Sequence, residues 1–138
     1  MSGRRVLDSY AILAFLENEP GADKVAEIIK QARDKDKPLF MSVINWGEVY
    51  YIVKRTAGVE AAEDTLRNLG TLPIEIINVD RDLTKIAAEY KSSRKMSYAD
   101  CFAAALAKRE SAEVLTGDPE FRQLEKEIKV RWLPLRSR

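Results

Sequence analysis

The chain has 138 residues, with 23 Lys and Arg, 22 Asp and Glu and a formal net charge of +1. With 46% hydrophobic and 33% charged residues, it is predicted to fold as a compact globular protein and not as a disordered chain. It contains no histidine and one cysteine, which excludes histidine-based nucleophile pairs, an internal disulfide framework and Cys-rich zinc sites. A catalytic site would therefore use carboxylates, hydroxyls, Lys or Arg, and a reducing cytoplasm is the expected compartment.

Strand and helix patterns alternate along the chain. The predicted strands lie at residues 4–7, 39–41, 74–79, 113–116 and around 130–132. The predicted helices lie at residues 9–16, 22–32, 43–56, 59–69, 81–91 and from 98 to at least 107. This alternation predicts an α/β protein with a mainly parallel central sheet of four or five strands, and a single domain over residues 1–138.

The most apolar part of the chain is the predicted helix that begins at Tyr98. From Tyr98 to Ala107, nine of ten residues are apolar and the tenth is Asp100. A helix that is apolar on all sides belongs in the interior of a fold. Because a buried carboxylate needs a cation or hydrogen-bond donors, we expect Asp100 to lie where other polar groups converge.

Three further acids stand where a site is expected. Asp8 follows the first strand and Asp118 follows the fourth, at the strand ends where open α/β sheets bind their ligands. Glu48 lies in a predicted helix between Ile44 and Ile52, where the pattern predicts an apolar residue. In a parallel sheet these strand ends and the following helices meet at one edge, so the four acids are predicted to converge there.

Each acid also has a purely structural explanation. Asp8 and Asp118 occupy positions typical of helix N-caps, and Asp100 completes a capping box with Ser97. Glu48 stands in mid-helix and caps nothing, so its alternative is a buried ion pair with Arg or Lys. Taken singly, the first three acids favour caps, whereas the four together favour a shared site.

Four carboxylates at one edge repel one another unless a cation neutralises them. Oxygen ligands without histidine indicate Mg²⁺ or Mn²⁺. Mg²⁺ also keeps coordinated waters that can be activated for hydrolysis. Ser9 and Thr116 stand beside two of the acids, where their hydroxyls could hold such waters.

Four motifs in this order resemble the PIN domain. They are Asp8-Ser9 after the first strand, Asn45-x-x-Glu48 in a helix, Asp100 opening an alanine-rich helix, and Thr116-x-Asp118-x-x-Phe121 after a strand. Size and layout most resemble the VapC toxins of type II toxin–antitoxin pairs. The resemblance implies a three-layer α/β/α PIN-like domain and a metal-dependent ribonuclease that cuts single-stranded or looped RNA. Its implied site residues are the metal-binding acids Asp8, Glu48, Asp100 and Asp118, with Ser9 and Thr116 as hydroxyl support.

Two other functions remain open alongside the toxin. PIN-like nucleases outside toxin pairs act in RNA processing, and a degenerate nuclease fold can persist as a catalytically silent binding module. The basic segment 91–95 (Lys-Ser-Ser-Arg-Lys) could hold RNA backbone, although a solvated loop is its structural explanation.

The predicted helix 9–16 is apolar around more than half of its circumference. Exposed apolar patches of this size usually mark an interface, which predicts a homodimer and a groove near the acids for an amphipathic partner segment. The resemblance to the toxins suggests that this segment belongs to an antitoxin. The alternative is that the second helix covers the extra apolar face.

Overall fold

The structure, a computed structural model, describes residues 3–134. Its five strands form one sheet in the order β3-β2-β1-β4-β5, and every neighbouring pair is parallel. The strands are β1 (Arg5–Leu7), β2 (Leu39–Ser42), β3 (Ile74–Ile77), β4 (Glu113–Thr116) and β5 (Val130–Trp132). The predicted parallel sheet of four or five strands is confirmed.

Six α-helices and one 3-10 helix connect the strands within residues 3–134. They are α1 (Ser9–Leu16), α2 (Ala22–Asp34), α3 (Val43–Ala57), α4 (Val59–Leu69), α5 (Arg81–Ser93), α6 (Tyr98–Glu110) and the 3-10 helix Pro119–Leu124. Several predicted boundaries are displaced by one or two residues, and two of these displacements shorten a predicted strand or loop. The third strand ends at Ile77, and the segment predicted as a loop from residue 91 begins inside α5.

Helices cover both faces of the sheet. On β1, Val6 packs into a core with α5, α6 and the 3-10 helix. Its neighbour Leu7 packs into a second core with α1, α2, α3 and α4. Because successive strand residues face opposite sides of a sheet, this alternation confirms the predicted three-layer α/β/α architecture.

Helix α6 lies in the interior, as its composition predicts. All residues from Asp100 to Ala107 are buried. The run of alanines at 103–105 leaves no bulk between this helix and its neighbours, so the helix backbone can approach them closely. Asp100 in the first turn of α6 is thereby held beneath the protein surface.

Strand β1 is the point at which the order of the sheet reverses. It pairs with β2 on one side and with β4 on the other, with Leu7 opposite Leu115. Asp8 and Thr116 follow these two residues and so emerge together at the carboxyl edge. In open α/β sheets the crevice at such a switch point is the usual ligand site.

The expected exposed apolar face on α1 is absent. Ile12 and Leu13 are buried, and Tyr10, Phe15 and Leu16 are partly buried in the core shared with α2 and α3. The structural alternative, coverage by the second helix, is therefore correct for α1. The exposed large hydrophobic residues of the described chain lie elsewhere, at Ile44, Tyr51, Val59, Tyr98 and Trp132.

Among the described residues, no helix is long and apolar enough to cross a membrane.

Candidate functional site

Asp8 follows β1 and is completely buried. Its Oδ1 accepts a 2.9 Å hydrogen bond from the amide of Ala11, so Asp8 does cap α1. Its Oδ2 accepts a hydrogen bond from the hydroxyl of Thr116. That hydroxyl oxygen accepts in turn from the amide of Asp118 at 3.0 Å. Asp8 is therefore both a helix cap and one end of a polar chain that leads to Asp118.

Asp100, Asp118 and Glu120 form a group of carboxylates, with one oxygen of each within 4.8 Å of the other two. Asp100 lies in the first turn of α6 and is 5% exposed. Asp118 caps the 3-10 helix, since its Oδ1 accepts a 2.9 Å hydrogen bond from the amide of Glu120. The structure thus brings together two of the four expected acids and adds a third that was not expected. We call these three residues the acid trio.

Glu120 is the acid that the sequence interpretation missed. It follows Pro119 in a capped helix start, where an acid needs no other explanation than the helix dipole. In the structure its Oε1 accepts a 3.2 Å hydrogen bond from the amide of Ser97. Ser97 Oγ accepts from the amide of Asp100 at 3.2 Å, so the reciprocal half of the predicted capping box is supplied by Glu120. The spacing Asp118-x-Glu120 after a strand was the available signal.

Glu48 lies in the middle of α3, and its Oε1 accepts a 2.5 Å hydrogen bond from the hydroxyl of Ser9. None of the salt bridges among residues 3–134 involves Glu48, and its side chain is only partly buried. No contact within these residues therefore supports the alternative of a buried ion pair. The apolar row in which Glu48 was expected is also more open, because Ile44 is 37% exposed. Glu48 and Asp8 lie outside the acid trio.

The two hydroxyls connect elements that are distant in sequence. Ser9 and Thr116 were expected to hold waters beside the neighbouring acids Asp8 and Asp118. Instead Ser9 donates to Glu48 on α3 and Thr116 donates to Asp8 after β1. The hydroxyls therefore orient two carboxylates directly.

Burial and mutual repulsion change the acidity of two of the acids. The pKa of Asp8 is raised to about 7, mainly by burial and also by the charges of Asp118 and Glu48, against the opposing effect of hydrogen bonds from Thr116 and Ala11. The pKa of Asp100 is raised to about 9, mainly by burial and also by the charges of Asp118 and Asp8. The charges of Asp118 and Glu48 thus act on Asp8, and those of Asp118 and Asp8 act on Asp100. Proton uptake is how such a cluster relieves its repulsion when no cation is bound.

The donors at this edge fit a hard divalent cation. They are carboxylate oxygens from Asp100, Asp118 and Glu120, gathered within the span of one coordination sphere. Oxygen-only donor sets suit Mg²⁺, Mn²⁺ or Ca²⁺ and do not suit soft thiophilic metals. Clustered carboxylates at a strand-end crevice can hold a cation and, through it, a phosphate.

The basic segment 91–95 is held by structural contacts. Lys91 Nζ donates to the carbonyl of Met96 at 2.8 Å, and Arg94 forms a salt bridge with Glu127. The backbone of Lys95 exchanges two hydrogen bonds of 3.1 Å with the side chain of Gln123. These contacts explain the segment without a role in RNA binding.

Similar folds occur in several solved structures. VapBC2 from Rickettsia felis, bound to a DNA fragment from its promoter, is 18% identical with a TM-score of 0.74, covering 94% of this chain and 98% of that chain. The sarcin-ricin loop cleaving toxin VapC20 of Mycobacterium tuberculosis is 19% identical with a TM-score of 0.66, covering 94% and 99%. FitAcB from Neisseria gonorrhoeae is 21% identical with a TM-score of 0.68, covering 91% and 95%. At these identities the likeness establishes the fold.

No curated protein matches the sequence with significance. The sequence does match the PIN domain family over residues 5–127. This range includes both strands and all the helices that carry the acids described above. The chain therefore belongs to the PIN domain family.

Proposed function

We propose that this protein is a divalent-cation-dependent endoribonuclease that hydrolyses RNA phosphodiester bonds at the carboxyl edge of its sheet. The observation that carries the proposal is the acid trio itself, in which Asp100, Asp118 and Glu120 stand within 4.8 Å of one another. Such crowding raises the energy of the protein when the acids are ionised, and a bound cation reverses that effect. The site residues are Asp8, Glu48, Asp100 and Asp118, with Ser9 and Thr116 as hydroxyl support and Glu120 as a further ligand.

The cation is Mg²⁺ or Mn²⁺, held by Asp100, Asp118 and Glu120 with Asp8 and Glu48 alongside. When bound, it supplies positive charge that offsets the carboxylates and polarises a phosphate ester. Within the chain, Thr116 fixes the orientation of Asp8, and Ser9 fixes that of Glu48. The Ser9 bond uses Glu48 Oε1, so Oε2 remains to orient an attacking water and to accept its proton. Because the chain has no histidine, a carboxylate is the available base near neutral pH.

We further propose that the protein is the toxin of a toxin–antitoxin pair and acts in the cytoplasm as a single domain of residues 1–138. The support is the likeness to VapBC2 from Rickettsia felis, and to a structure from Klebsiella pneumoniae described as a toxin-antitoxin complex. An Arg or Lys of the antitoxin, placed among the acids, would replace the charge of the cation and so inhibit. An RNA-processing nuclease and a silent binding module are the alternatives, and the retained acids favour an active enzyme over the latter.

A homodimer is part of the same proposal, with its contact surface now expected on α3 and α4 instead of α1. Helix α1 is covered, whereas Ile44 and Tyr51 on α3 and Val59 on α4 are exposed. Exposed aromatic and aliphatic residues of this kind are enriched at protein interfaces. We expect these residues to contact a second copy. Light scattering of the purified protein, which measures its molar mass, would show whether a dimer forms.

The function is tested by incubating mixed RNA with the protein in Mg²⁺ or Mn²⁺, with and without EDTA. Asp8→Asn and Asp100→Asn should each reduce cleavage to the EDTA background. The matched control is Asp80→Asn, because Asp80 also caps a helix, accepting a 2.8 Å hydrogen bond from the amide of Leu83. Asparagine retains the capping ability at Asp8 and at Asp80, and Asp80 lies outside the site, where its charged partner is Arg109 at 3.4 Å. Undiminished cleavage by Asp100→Asn would exclude the proposed site.

A further inference from the structure

The amino edge of the sheet, opposite the acids, carries two adjoining basic cavities. The first has a volume of about 540 Å³ and lies where β1, β4 and β5 begin, beside the end of α6. Five cations line it, against the two acids Glu113 and Glu127. These cations are Arg4, Arg5, Lys108, Lys129 and Arg131.

The second cavity, of about 550 Å³, lies between the starts of β1 and β2 and the end of α2. It shares Arg4 and Arg5 with the first cavity and adds Lys35 and Lys37, against Asp36. The two cavities therefore form one band, which we call the amino-edge surface. It crosses four adjacent strands, a distance of about 14 Å between the outer strand axes.

Glu113 organises the centre of this band. Its side chain is 8% exposed, and it lies 2.9 Å from Arg5 Nε, 3.6 Å from Lys129 Nζ and 3.6 Å from Arg131 Nη1. One carboxylate balances one of these three cations, so the group keeps a surplus of positive charge. Holding the cations around a buried anion also restricts their side chains before any ligand binds, which lowers the entropic cost of binding.

The rest of the chain does not share this surplus. The net charge of the whole protein is +1, while the carboxyl edge concentrates acids. Arg4 is also paired with Glu110 at 2.9 Å, so the charge available to a ligand comes from the remaining cations. A row of such charges along an open band fits a chain of phosphates better than a single small anion.

The two cavities lack exposed large hydrophobic residues, which favours a nucleic acid over a protein partner. Protein interfaces are usually centred on buried aromatic and aliphatic side chains. The exposed large hydrophobic residues of the described chain are Ile44, Tyr51, Val59, Tyr98 and Trp132. None of them lines either cavity, and the large apolar residues that do, Leu39, Phe40 and Ile128, are buried or partly buried in the cores.

We propose that the amino-edge surface binds the phosphate backbone of single-stranded RNA, at a position separate from the acids. The phosphate chemistry is inferred from the surface itself, and the choice of RNA rests on the proposed ribonuclease function. Contacts of this kind hold a strand without reading its sequence. The surface would thus anchor a distant part of an RNA whose other part reaches the carboxyl edge.

The test compares two triple variants that each remove three exposed lysines. Lys37→Gln, Lys108→Gln and Lys129→Gln lie on the amino-edge surface. The control variant carries Lys30→Gln, Lys54→Gln and Lys85→Gln, which line neither cavity. The pairs are matched, because Lys30 and Lys129 are each in a salt bridge, and Lys54 and Lys108 each lie over a tyrosine ring.

Binding of a fluorescent 20-nucleotide oligouridine is measured by anisotropy in EDTA, between 50 and 200 mM salt. Each lost phosphate contact should reduce the slope of log K against log salt by about 0.7, so the amino-edge variant should be shallower by about 2. Over this salt range its loss of affinity should be roughly 20-fold smaller than that of the native protein. The control variant should keep the native slope. An oligodeoxyuridine should behave similarly, because phosphates are what the surface recognises.

Equal slopes for the two variants would overturn the proposal. So would unchanged RNA binding combined with lost binding of polyglutamate, which would assign the surface to an acidic protein. If the amino-edge variant melts well below the native protein, the single variants Lys37→Gln and Lys129→Gln serve instead, each with an expected slope change of about 0.7. Binding is measured without a divalent cation, so a failure of the ribonuclease proposal in the cleavage assay would leave this result unaffected.

Discussion

The hydroxyl of Ser9 donates a 2.5 Å hydrogen bond to the carboxylate of Glu48. It joins the first turn of α1 to the middle of α3, across 39 residues of sequence. Hydrogen bonds to a charged group contribute about 1.5–3 kcal/mol, so Glu48 has a defined position before any cation binds. The same carboxylate also raises the pKa of Asp8 through its charge. Glu48 is therefore held in place by Ser9 but repels the ionised form of Asp8.

Glu48→Gln should therefore stabilise the cation-free protein. The amide oxygen can still accept from Ser9, while one of the repelling charges is removed. We expect the free energy of unfolding to rise by about 1 kcal/mol, which corresponds to about 3 °C in melting temperature. The further rise on adding Mg²⁺ should shrink, because a negative charge beside the proposed cation is lost.

The matched control for this change is Glu63→Gln. Glu63 also accepts a hydrogen bond from a hydroxyl, that of Tyr50 at 2.8 Å, but it lies outside the site. Its replacement should not stabilise the protein. A lower melting temperature for Glu48→Gln would show that repulsion does not dominate at this position.

Glu120→Gln should weaken cation binding without loosening α6. Glutamine can still accept the hydrogen bond from the amide of Ser97, so the helix start is preserved, while the trio loses one charge. We expect an affinity for Mn²⁺ at least about 10-fold lower by titration calorimetry, the range found for altered metal surroundings.

Glu125→Gln is the control for that measurement. Glu125 follows the same 3-10 helix, and its carboxylate accepts a 2.8 Å hydrogen bond from Trp132 Nε1. It is outside the trio, so Mn²⁺ affinity should be unchanged. If both variants bind Mn²⁺ as the native protein does, Glu120 is not a ligand.

Stability of the cation-free protein should fall as the pH rises from about 4 to about 9. The pKa values of Asp8 and Asp100 are about 7 and about 9 in the folded state, against an ordinary value of 3.8. In that interval the folded protein holds protons that the unfolded chain has released. For each such proton, the free energy of unfolding falls by about 1.4 kcal/mol for every unit by which the pH rises. Below about pH 4 both states are protonated, and the favourable contribution is complete.

Urea unfolding at pH 5, 7 and 9 in EDTA measures this slope. Between pH 7 and 9 the remaining slope comes mainly from Asp100, so Asp100→Asn should flatten that part of the curve. A stability that increases with pH across this interval would contradict the raised pKa values. Cation binding should strengthen over the same interval, because the ligands must lose their protons.

Gly117→Ala should destabilise the protein through its contact with Tyr10. A Cβ at Gly117 would lie 2.3 Å from a ring carbon of Tyr10, whose hydroxyl donates a 3.0 Å hydrogen bond to the carbonyl of Pro134. Either the ring moves and that bond breaks, or the turn carrying Asp118 shifts. Overpacking of this kind costs about 1–3 kcal/mol.

Gly47→Ala provides the contrasting control. Gly47 lies within α3, and a Cβ there would meet nothing within 4 Å. Alanine should stabilise that helix by about 0.5–1 kcal/mol. Chemical denaturation should give a lower free energy of unfolding for Gly117→Ala than for the native protein, and a higher one for Gly47→Ala. Equal stability of Gly117→Ala and the native protein would mean that Tyr10 moves aside freely.

Much of the fold could be predicted from the sequence because capping residues and glycines indicate where several helices begin and end. Helix α1 begins beside the cap Asp8, and α4 lies between Gly58 and Gly70. The predicted ranges 9–16, 59–69 and 113–116 are those of the structure. The burial of α6 also follows from composition alone, since it lacks a polar face.

The candidate site was only partly predictable, because its details depend on contacts between distant segments. That Thr116 donates to Asp8 reflects the pairing of β1 with β4, and no local pattern specifies it. Glu120 was missed because only the 3-10 geometry turns it toward Ser97. The coverage of α1 likewise depends on how α2 folds back, which its own sequence does not reveal.

The hydrogen bond between Thr116 and Asp8 spans 108 residues, and this separation has a consequence for the order of events during synthesis. A chain still on the ribosome displays Asp8 long before β4, Asp118 and Glu120 have been translated. The carboxylates cannot gather until the segment that carries β4 and the 3-10 helix has emerged and β4 has docked beside β1. A nascent chain that has not yet exposed this segment therefore lacks the carboxylate cluster, although Asp8 and Glu48 have already been synthesised. Docking of β4 beside β1 is the folding step that brings these acids to one edge.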